Sequence, residues 1–135
     1  MNKEFLKDLY PFLSFTWGII MTLLGGIVFT VLLLFNIPTK IDCHKDMIYL
    51  TVGRNWGGMS LGPIAIVNEN PSEFLLNHEY GHSIQNCLYG PFMVVISIMS
   101  FIHYWYYILL EKLNKPAIDY YDIWFEKEAN KFGGN

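Results

Sequence analysis

Hydrophobic and polar positions fall into blocks along this chain. Positions 9 to 39 hold no Asp, Glu, Lys or Arg, and positions 80 to 110 hold none either. Within the first block, Phe12 to Phe35 is an apolar run of 24 residues. As one helix it reaches about 36 Å, enough to cross a hydrocarbon core of about 30 Å with some tilt. It is followed by Asn36-Ile37-Pro38-Thr39-Lys40 and not by a small-residue cleavage site, which predicts a retained anchor. Gly18, Thr22, Gly26 and Thr30 fall four apart and would line one face with small side chains, where another helix can approach closely.

Pro91 to Leu110 forms the second apolar stretch and ends in the cluster Tyr104-Trp105-Tyr106-Tyr107. Its length, about 30 Å as a helix, is again that of a span. His103 lies among these aromatics and reads as a membrane-interface residue, not a ligand.

Between the blocks the pattern shortens. Met47 to Val52 and Pro63 to Asn68 are rich in β-branched and aromatic residues, with glycines at 53, 57, 58 and 62 between them. This predicts an antiparallel hairpin with a long loop. Asn70-Pro71-Ser72-Glu73 then predicts a helix start, with Asn70 as cap, Pro71 in the first turn and Glu73 at the capping-box position. Gly90-Pro91 closes that helix, which therefore covers 71–89.

Composition agrees with a membrane protein. The chain is 53% hydrophobic and 16% charged, against about a quarter charged in a soluble domain. The net charge is −3 with no basic stripe, which excludes nucleic acid as a partner. Cys43 and Cys87 have no metal-type spacing and read as unpaired thiols. Lys40, Lys45 and Arg54 after the anchor outnumber Lys3 and Lys7 before it, which leans the C-terminal portion toward the cytoplasm.

The helix over 71–89 carries Asn77-His78-Glu79-Tyr80-Gly81-His82. Histidines four apart project from the same helical face, about 6 Å apart at Cβ, and can share one tetrahedral zinc. Glu79, about 100° around the axis from His78, is placed to serve as general base toward a water at that ion. Gln85 lies on the same face and can line the site. Catalytic zinc usually takes three protein ligands. Gln85 and Leu88 occupy the positions where a nearby third histidine would fall, so the third ligand is a distant carboxylate: Glu111, Asp119, Asp122, Glu126 or Glu128. His44 has no partner at ligand spacing and reads as a loop residue.

The segment Tyr121 to Gly134 contains Glu126-Lys127-Glu128-Ala129-Asn130. This resembles the Glu-x-x-x-Asp helix of gluzincin zinc peptidases and the second motif of HtpX-like membrane peptidases. The combination of an N-terminal anchor, W-G-G…L-G, H-E-Y-G-H-S-I-Q-N, G-P and W-F-E-x-x-A also resembles a group of small bacterial membrane proteins. The gluzincin resemblance implies Glu126 as third ligand, Asn130 as the residue orienting a ligating histidine, and a Tyr or His as oxyanion donor. Tyr120 and Tyr121 are candidates for that donor, which stays unassigned. Asn130 stands where the family has aspartate and would add no negative charge behind the imidazole. Glu128 is the rival ligand; Glu126 is preferred because it alone has an i+4 polar partner.

Taken together, the expected fold is a mainly α membrane protein with a small β-hairpin. A tail and transmembrane anchor occupy 1–36. A minimal zincin-like α+β unit over 37–135 follows, with 91–110 embedded or interfacial. A single crossing by 91–110 would place His82 and Glu126 on opposite sides of the bilayer. The segment is therefore expected to bend near Ser97–Ser100, to lie against the domain with 111–125 running back along it, or to pair with a histidine helix inside the membrane. The expected function is that of a membrane-anchored zinc metallopeptidase at the bacterial inner membrane, its site on the cytoplasmic face, acting on peptide or protein substrates. The alternative is a non-catalytic membrane scaffold or binding protein with a structural metal.

Overall fold

A computed structural model describes residues 2–135, mainly helical with one four-stranded sheet. Three helices open the chain: α1 (Lys3–Asp8), α2 (Tyr10–Phe15) and α3 (Ile19–Leu34). Four strands follow, β1 (Lys40–His44), β2 (Met47–Thr51), β3 (Gly58–Leu61) and β4 (Ile64–Val67). The remainder is helical: α4 (Glu73–Tyr89), α5 (Met93–Lys112) and α6 (Trp124–Gly133).

The expected single helix over Phe12–Phe35 is two. The chain breaks at Thr16–Gly18, where the Gly18 Cα sits against the Asn86 amide with no room for a Cβ. What remains as α3 is 16 residues, about 24 Å of helix, short of a hydrocarbon core. Its small residues pack on the chain itself: Gly25 lies under the Leu61 carbonyl and Thr22 against Gly62, while Gly26 faces open space. α1 and α2 bury Leu6 and Tyr10 in the same core as Tyr80 and Ile84 of α4.

The strand pairing also differs from the expected hairpin. β2 and β4 pair in parallel, β1 adds antiparallel to β2, and β3 adds antiparallel to β4, giving the order β1-β2-β4-β3. The glycine-rich stretch read as one long loop contains β3. A tight turn at Gly62, with φ +63°, folds β3 back onto β4, and β2 and β4 then run side by side in the same direction. β1, including His44, was hidden by its exposure: its strand is solvated on nearly every residue.

α4 is capped by Ser72, whose Oγ accepts from the Leu75 N–H at 3.1 Å; Asn70 instead adopts φ +55° before the helix. Every residue from His78 to Cys87 is buried, because the sheet, α2 and α6 all pack on α4. At Gly90, with φ +54°, the chain turns into α5, and the Trp17 ring occupies the space a side chain there would need. α5 is an uninterrupted helix of 20 residues, so the bend expected at Ser97–Ser100 does not occur. The stretch Glu73–Lys112 contains the one window among the described residues that is long and apolar enough to cross a membrane. One side of α5 faces the domain through Met93 and Ile96; Val95, Ile98, Ile102, Trp105 and Leu109 are exposed on the other. Residues 113–123 run back along α5, bringing Tyr120 to His103, Tyr104 and Tyr107 and delivering α6 to α4.

Candidate metal centre

α4 and α6 make the most extensive helix contact in the protein, and the candidate ligands lie across it. His78, His82 and Glu126 are all buried and form a group that can hold a metal ion. Glu126 Oε2 lies 3.1 Å from His78 Nε2 and 3.1 Å from His82 Nε2, and the two nitrogens are 3.2 Å apart. Ligand atoms around a tetrahedral zinc with bonds of 2.0–2.1 Å are separated by about 3.3 Å. The nearly equilateral triangle thus has the size that such an ion requires.

The far side of each imidazole decides which nitrogen faces the centre. His78 Nδ1 is 2.8 Å from Asn130 Oδ1, and His82 Nδ1 is 2.7 Å from Gln85 Oε1. The Gln85 amide is oriented by its own nitrogen, which donates to the Phe125 carbonyl at 2.8 Å and to Glu128 at 2.9 Å. Amide oxygens only accept, so both imidazoles donate from Nδ1. In their neutral form both then turn an Nε2 lone pair toward the carboxylate. Three electron-rich atoms at this spacing demand positive charge between them, supplied by a metal ion or by protons.

With no metal bound, the proton falls on the imidazole side: burial lowers the His82 pKa, but the Glu126 carboxylate outweighs it and pushes it up to about 9. Burial pushes the Glu126 carboxyl up, but hydrogen bonds from His78, His82 and Ser100 outweigh burial and hold it well below the usual carboxylate range. Its other oxygen, Oε1, is contacted by Ser100 Oγ at 2.5 Å and by the Tyr120 hydroxyl at 3.3 Å. Glu128 turns away from this centre and accepts from Gln85 and from Tyr89 Oη at 2.8 Å.

Glu79 differs from every other acid here. It is 3% exposed, and its Oε2 has no hydrogen-bond partner among the described residues. Gly58 of β3 makes room for it: a Cβ there would stand 2.8 Å from Glu79 Oε1. The carboxylate lines a cavity of about 390 Å³ together with His78, His82, β3, and Met93, Ile96, Ser100, Phe101, Tyr104 and Trp105 of α5. Apart from the two histidines and Glu79, that wall holds no Asp, Glu, Lys, Arg or His.

The remaining sequence candidates fall outside the triangle. Tyr120 lines the cavity, whereas the Tyr121 ring packs edge-on against His78, with centroids 5.0 Å apart. His103, half-buried, stacks on Tyr120, and His44 Nε2 contacts Asn77 Oδ1 at 2.9 Å. Ser100 was marked in the sequence only as the end of an expected bend; no motif around it in that apolar helix pointed to Glu126. Gln85 was visible only as a polar residue on the histidine face; its contact with Glu128 depends on how α6 docks. Comparison with known protein families, with curated proteins and with solved structures finds no match for this chain.

Proposed function

We propose that the chain is a membrane-associated zinc metallopeptidase in which His78, His82 and Glu126 hold the metal and Glu79 is the general base. The observation that carries this reading is the unpartnered, buried Glu79 carboxylate beside the three candidate ligands. A buried carboxylate without a partner is costly, and a purely structural metal site gives it nothing to do. Zinc bound there would supply Lewis acidity, bringing the pKa of a water toward 7 and polarising a peptide carbonyl. Glu79 takes the proton from the attacking water and returns it to the leaving amine. Asn130 and Gln85 hold the imidazole rings with Nε2 toward the centre.

Among the described residues β3 is an edge strand paired with β4, and its residues line the cavity, where an extended peptide could add main-chain hydrogen bonds. The apolar wall from α5 suits apolar substrate side chains. α5, at about 30 Å, is the helix we assign to the membrane, in a bacterial inner membrane with the site toward the cytoplasmic face. Because the return segment reaches back along α5, both ligand helices remain on one side of it.

Glu79→Gln tests this reading. The variant is expected to keep about one zinc per chain while cleavage of a casein reporter falls by about 10²–10⁴-fold. Undiminished cleavage would remove Glu79 from the mechanism. Zinc-loaded wild type with no turnover would favour the structural-metal alternative.

A further inference from the structure

Two hydroxyls from outside α4 and α6 close on the Glu126 oxygen that points away from the imidazoles. Ser100, near the middle of α5, places Oγ 2.5 Å from Oε1, and the Tyr120 hydroxyl donates to the same atom at 3.3 Å. Among the described residues, Oε2 meets the two Nε2 atoms alone. The carboxylate is thereby divided, one oxygen for the hydroxyls and one for the centre.

Tyr120 is held in turn by α5. His103 Nε2 donates to the Tyr120 main-chain carbonyl at 3.1 Å, and its ring stacks on the phenol with centroids 5.0 Å apart and planes inclined by 19°. Ser100 and His103 are three apart on α5 and therefore share a face. A serine within a helix can bond back to its own main chain four residues earlier. Ser100 instead reaches across to another helix.

We propose that Ser100 and Tyr120, the latter held by His103, are positioning residues that occupy Glu126 Oε1 so that the carboxylate ligates through Oε2 alone. A freely turning carboxylate can offer both oxygens to an ion and so fill the position that a catalytic site leaves open. The two hydroxyls keep that position available. This inference rests on the metal reading above, and it gives α5 a part in completing the centre.

Cobalt(II), loaded in place of zinc, reports coordination number directly: its visible absorption is strong when four-coordinate and weakens as ligands are added. Wild type is expected to show the strong bands. Ser100→Ala combined with Tyr120→Phe should lose roughly half of that intensity and bind zinc about 10-fold more weakly. Ser100→Thr, which keeps the hydroxyl, should retain wild-type values, as should Ser97→Ala on the same helix. His103→Phe preserves an aromatic ring against Tyr120 and should shift the spectrum in the same direction as the double variant. It carries the test if the double variant does not fold. Unchanged spectra and zinc affinity in the folded Ser100, Tyr120 and His103 variants would overturn the clamp while leaving the metal site standing. A wild type that binds neither cobalt nor zinc would overturn the metal reading and the clamp with it.

Discussion

Gly81 of α4 lies against the main-chain carbonyl of Ala129 in α6, with no room for a Cβ between them. Gly133 of α6 meets the Asn77 carbonyl in the same way. These two glycines, one on each helix, let the main chains approach closely enough for Glu126 to reach both histidines. Gly81→Ala is therefore expected to destabilise the fold by about 1–3 kcal/mol through overpacking and to weaken zinc binding as α6 is pushed outward. Thermal unfolding and zinc titration measure the two effects. Wild-type values in both would contradict the close approach.

The imidazole orientations rest on two neutral amides, and each can be removed. Gln85→Leu takes away the acceptor at His82 Nδ1 and one of the donors to Glu128, which keeps the Tyr89 hydroxyl. Zinc affinity is expected to fall about 10–100-fold. Asn130→Asp supplies a charged acceptor to His78 Nδ1 and should tighten zinc instead. Competition with a chelator reads both. Equal affinities in wild type and the two variants would show that these contacts do not tune the ligands.

Much of this centre was legible in the sequence, for a definite reason. His78 and His82, and likewise Glu126 and Asn130, are local i, i+4 pairs whose meaning depends only on helical geometry. What was not legible depends on long-range packing. The apolar run over Phe12–Phe35 gave no sign that Asn86, 68 positions beyond Gly18, would sit at its break. The parallel pairing of β2 with β4 follows from β3, a strand of four residues whose glycine and serine content reads as loop. Ser100 carries no local signal for a place at this centre; its contact with Glu126 exists only because the return segment brings Glu126 beside it.

The pH dependence of the metal-free protein follows from Glu126. Its folded carboxyl lies below the ordinary value, with burial opposing and the imidazole and Ser100 hydrogen bonds prevailing. A depressed folded pKa contributes stability that is present above the unfolded value of about 4.3 and is lost as pH falls through the folded one. Metal-free wild type should therefore hold this contribution from pH 7 down to about 4.3 and lose it in stronger acid. Glu126→Gln should lack that acid-side loss. Melting curves across this range check the difference, and parallel profiles for the two proteins would contradict it.

The exposed face of α5 makes a separate demand. Ile102 stands near the middle of the helix and is 62% exposed. An arginine there would cost about 2.5–3.5 kcal/mol of insertion if α5 lies in lipid. Ile102→Arg should then shift the chain out of carbonate-washed membranes, whereas Ile41→Arg, on exposed β1, should not. Identical partitioning of the two variants would argue against α5 as the membrane helix.

The most direct measurement is zinc content per chain in purified wild type, His78→Ala and Glu126→Ala. A shared cation held by two imidazoles and a carboxylate predicts about one zinc in wild type and little in either variant. Full zinc in both variants, or none in wild type, would contradict it.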